Sequence, residues 1–118
     1  MIILAESDCY EILINSNFLH LRNRFLCNSG DYLLSTLLIE LLDNYNNENY
    51  SMPVPRYART IVCNIRILAH KSNCNLIDFF NTIDKLVELD LAKIEVVNVS
   101  IRYNLNFEKI FKLYIDLI

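Results

Sequence analysis

Between residues 76 and 105 the apolar residues change period, and that change limits the architectures open to the chain. Leu76, Phe79, Phe80, Ile83, Leu86 and Val87 recur at intervals of three and four, as one buried helix face requires. From Ala92 the interval drops to two: Ile94 and Val96, then Val99, Ile101, Tyr103 and Leu105, alternate with Lys93, Glu95, Ser100, Arg102 and Asn104. The pattern predicts an amphipathic helix capped by Asn75, followed at once by a β-hairpin that turns at Val97-Asn98.

The preceding segments read as helical. After the turn-forming Ser29-Gly30-Asp31, the residues Leu33, Leu34, Leu37, Leu38, Leu41 and Leu42 form a two-wide stripe. An Asn-rich run and "MPVP" interrupt it. From about Pro55 the segment "RYARTIVCNIRILAHKSN" contains no breaker, and Tyr57, Ile61, Ile65 and Leu68 predict one long second helix. Asn73-Cys74-Asn75 supplies the turn to the next helix. The closing "FEKIFKLYIDLI" returns to helical spacing, with more apolar residues than one face needs. That helix is therefore either clamped into its own core or paired with a second copy as a homodimer. Residues 1–28, where "MIILA" and "YEILIN" fit strand or helix, are read as an N-terminal extension to a core spanning 29–118.

A chain of 118 residues with 53% hydrophobic residues and a single glycine suits one mainly α domain with a small β-hairpin. The four cysteines form no C-x-x-C pair, and Cys63, His70 and Cys74 lack a fourth ligand, so no metal centre is expected. With Gly30 alone no phosphate-cradling loop can form, and no nucleophile is paired with a base and an oxyanion site. The expectation is a non-enzymatic, cofactor-free cytoplasmic protein with no membrane segment, since "YLLSTLLIELL" is too short to span and carries Glu40.

The order helix, helix, short turn, helix, hairpin, helix resembles the winged helix-turn-helix superfamily over Ile67 to Leu105. "ILAHKSNCN" matches the turn, "IDKLVELDLAKIE" the entry to the wing, and "SIRYNLNFEKI" the second wing strand with its following helix. Asp90 stands where such domains usually carry glycine. The resemblance implies a DNA-binding or transcription-regulatory accessory protein. Arg56, Arg59, Arg66 and Lys71 would hold phosphates, Asn75, Asn81 and Lys85 would approach bases, and Lys93 and Arg102 would sit on the wing.

Charge pulls the other way. Between Asn75 and Asp90 four acids, Asp78, Asp84, Glu88 and Asp90, face Lys85 alone, on the helix that would lie against phosphates. The acid-free stretch from Asn49 to Ile77 is instead basic. The alternative is a small acidic protein that neutralises a protein partner, as immunity proteins do, through Asp78, Asp84 and Glu88 with Tyr50 and Tyr57 at its margin.

Overall fold

The computed structural model describes residues 4–46 and 55–115. In chain order the elements are α1 (Glu6–Ile14), α2 (Phe18–Ser29), α3 (Tyr32–Asn46), a 3-10 turn (Arg56–Ala58), β1 (Ile61–Asn64), α4 (Ile65–Lys71), α5 (Leu76–Glu88), β2 (Ala92–Val97), β3 (Ser100–Leu105) and α6 (Phe107–Tyr114). The strands form one antiparallel sheet in the order β1-β3-β2.

Local chemistry sets most of the boundaries. Asn17 caps α2 by accepting from the Leu19 and His20 amides, and Gly30 ends that helix at φ 67. Asp31 then accepts the Leu34 amide at 3.0 Å and opens α3, which buries Leu34, Leu37, Leu38, Leu41, Leu42 and Tyr45. Each buried leucine contributes about 1.5–3 kcal/mol of transfer free energy, so α3 is the central strut of the core. Asn75 caps α5 through the Asp78 amide at 2.8 Å, as the sequence suggests.

The long second helix expected from about Pro55 does not form. Its residues divide into the 3-10 turn, strand β1 and the short helix α4. The β-branched run Thr60-Ile61-Val62 suits an extended backbone, and β1 gains a complete ladder with β3, Ile61 pairing Tyr103 and Cys63 pairing Ile101. Asn64 then stops the strand by accepting from the Arg66 and Ile67 amides, which starts α4.

The hairpin turns one residue later than expected. Val97 pairs Ser100, leaving Asn98 and Val99 as the turn, with Asn98 at φ 55. Asp90, entering β2, is also left-handed at φ 58.

The segment read as an extension fills the same core as the rest. Cys9, Tyr10, Leu13, Leu21 and Phe25 are buried with the α3 leucines. The Tyr10 and Tyr45 rings both pack edge-on against Phe107, at 5.0 and 5.1 Å. Helix α6 spends Phe107, Ile110 and Tyr114 on this core. The Asn28 amide donates to the Tyr114 carbonyl at 3.2 Å, which ties the end of α6 to α2. Phe107, Ile110 and Tyr114 are one buried stripe; of the apolar residues beyond it, Leu113 is exposed and Ile115 half-buried, while Leu117 and Ile118 lie outside the described residues. No helix among the described residues is long and apolar enough to cross a membrane.

Candidate interaction surface

Helix α5 buries Phe79, Thr82, Ile83 and Leu86. The buried face is therefore rotated from the expected stripe: Thr82, its hydroxyl satisfied by the Asp78 carbonyl at 2.8 Å, occupies an inward place. Leu76, Phe80 and Val87, expected in the core, are exposed instead. At 3.6 residues per turn the side opposite the core holds Ile77, Asn81, Asp84 and Glu88, all exposed, with Ile77 at 74%. Acids and apolar side chains thus share the outward side of one helix.

Lys85, the only base on α5, does not project freely from that side. Its ammonium meets the Asp31 carboxylate at 2.9 Å. The Leu34 amide and then Lys85 hold the Asp31 carboxyl below its ordinary range, against the opposing effect of burial.

The six cations expected to straddle a nucleic-acid backbone are distributed over several elements. Arg59 departs furthest: it is 8% exposed, tucked beneath the sheet edge where its carbonyl accepts from the Asn104 amide at 2.7 Å and from the Tyr45 hydroxyl at 3.3 Å. A buried guanidinium cannot reach a phosphate without leaving the fold, so Arg59 is withdrawn from that set. Arg56 lies beside the Tyr10 phenol, where it works against the burial that raises the phenol pKa. Lys71 similarly moderates the burial that raises the Glu40 carboxyl. Arg66, Lys71, Lys93 and Arg102 are exposed, but Arg102 stands directly across the hairpin from Glu95. Tyr57 is half-buried against Tyr10, with ring centroids 6.4 Å apart. Tyr50 lies outside the described residues.

A second exposed apolar group escaped the sequence reading. Val96, Val97 and Val99 project at the hairpin tip, Val99 at 62% exposure. The alternation places Val96 and Val99 toward a core, but both side chains are exposed, although the Val99 carbonyl accepts the Ile65 amide at the start of α4 at 2.9 Å. For α5 a signal was present: Leu76, Ile77, Phe79, Phe80, Ile83, Leu86, Val87 and Leu89 are too many apolar residues for one face.

Comparison with known proteins finds no matching family model, no matching curated protein and no matching solved structure.

Proposed function

We propose that this chain is a non-catalytic protein-binding module, built on a winged-helix-like scaffold, whose α5 takes a basic, amphipathic protein segment. One observation carries the reading: Ile77 and Phe80 are exposed beside Asp84 and Glu88, while Lys85 is engaged by Asp31. Phosphates would be repelled by this side, whereas exposed apolar residues ringed by acids suit a partner with buried anchors and a cationic rim. The cluster α3, α4, α5 followed by the β2–β3 hairpin supports the scaffold reading. A small inhibitor or neutralising protein is the role such a surface fits.

A helical model peptide of alternating leucine and lysine blocks serves as the probe, with binding mapped by amide chemical shifts. Perturbations should centre on Ile77 to Glu88 and disappear in Ile77→Ser/Phe80→Ser. Perturbations spread over the whole surface would defeat the proposal.

The second reading is DNA binding through Arg56, Arg66 and Lys71, with Lys93 and Arg102 on the hairpin; it draws on the acid-free stretch before α5. Anisotropy titration with random duplex DNA separates the two. Binding with a steep salt dependence that is lost in Arg66→Ala/Lys71→Ala would favour DNA over protein.

A further inference from the structure

Strand β2 lies at the edge of the sheet, and no strand among the described residues pairs its outer side. Its hydrogen-bonding groups can be assigned from the register. A two-residue turn makes Val97–Ser100 a hydrogen-bonded pair, and the alternation of an antiparallel ladder extends this to Glu95–Arg102 and Lys93–Asn104. The N–H and C=O groups of Ala92, Ile94 and Val96 therefore point away from β3; Ala92 is 3% exposed, so the accessible part of the edge is Ile94 and Val96. A strand that joins this edge bonds first to Ile94 and Val96 and reaches Ala92 only by displacing what covers it.

Edge strands usually repel copies of themselves through like charge. Here the two charged side chains, Lys93 and Glu95, are exposed on the outer face, opposite in sign and two residues apart. A second β2 related by a two-fold axis normal to the sheet keeps the same face outward, so residues of equal parity must pair. Centred on Ile94, this register sets Ile94 against its own copy and Ala92 against Val96. It also places Lys93 opposite Glu95 of the second copy, twice. Centring on Glu95 instead opposes two glutamates, and centring on Lys93 opposes two lysines. Among these registers only the one centred on Ile94 pairs opposite charges.

We propose that two copies of the chain pair antiparallel through β2, centred on Ile94, and fuse their three-stranded sheets into one. The register also gives the exposed valines of the tip a place. Val96 and Val97 of one copy come alongside the base of the other copy's β2. There a cleft of about 360 Å³ opens beside Tyr57, Ala58, Asp90, Ala92 and Asn104. The proposal uses the sheet edge and leaves α5 untouched, so it stands or falls independently of the protein-partner reading.

Sedimentation velocity across the micromolar range at low ionic strength tests it. The wild type should show a concentration-dependent dimer. Lys93→Glu or Glu95→Lys alone should weaken the dimer roughly tenfold by opposing like charges, and the double exchange should restore it. Hydrogen exchange supplies the positional readout: the amides of Ile94 and Val96 should slow as concentration rises. A monomer at every concentration, a dimer indifferent to the single exchanges, a double exchange that fails to recover, or β2 amides insensitive to concentration would each overturn the proposal.

Discussion

The Tyr103 hydroxyl donates a 2.7 Å hydrogen bond to the Leu41 carbonyl and accepts one at 3.1 Å from the Asn44 amide, joining the middle strand of the sheet to α3. Tyr103→Phe keeps the ring and removes both bonds, while the Asn44 amide keeps the Cys63 sulfur at 2.9 Å and the Leu41 carbonyl stays within the α3 ladder. A loss of about 0.5–1.5 kcal/mol per bond in urea-induced unfolding is expected.

Alkali should unfold the protein through its buried phenols. Burial pushes Tyr45 up to about 12 and raises Tyr10, Tyr103 and Tyr114 as well. In the unfolded chain these groups ionise near pH 10, so above that value the unfolded state releases protons first. Stability is therefore complete below about pH 10 and falls as pH climbs toward about 12, by about 2 kcal/mol for Tyr45 alone. Urea midpoints at rising pH, beside a spectroscopic tyrosinate titration, check both the direction and the window.

Asp31 combines two functions, and substitution separates them. Asp31→Ala removes the α3 cap and the contact with Lys85, with an expected cost of about 1–2 kcal/mol. Lys85→Ala removes only an exposed ion pair and should cost about 0.5 kcal/mol or less. Because the Asp31 carboxyl is lowered in the fold, its contribution is present above the unfolded value near pH 4 and is lost as pH falls below it. The difference between wild type and Asp31→Ala should shrink correspondingly in acid.

Two apolar residues on α5 should respond oppositely to truncation. Leu86 is buried and Ile77 is not. Leu86→Ala should cost about 2–5 kcal/mol in unfolding free energy, while Ile77→Ser should stay within about 0.5 kcal/mol and abolish binding of the amphipathic probe.

Relief of backbone strain offers a stabilising variant. Asp90 occupies φ 58. Asp90→Gly should raise stability by about 0.5–1 kcal/mol, and Asp90→Val should lower it by about 1–2 kcal/mol, both read from thermal midpoints.

The helices α3 and α5 and the hairpin were legible because their burial is periodic over many residues. The division of the 55–71 segment was not, because the four residues of β1 become a strand only against Tyr103 and Ile101, far along the chain. Charge misled at Arg59, since a guanidinium reads as solvent-facing unless the surrounding pocket is known. On α5 the spacing gave the helix but not its rotation; Thr82, turned inward with its hydroxyl bonded to the helix backbone, set the face.

The contact between the Tyr10 and Phe107 rings joins the first helix to the last. A chain leaving the ribosome can therefore cover the Tyr10 ring with Tyr45 and Tyr57 early, but the side that meets Phe107 stays uncovered until residues beyond Leu105 have emerged. Completion of the core is a late event in synthesis.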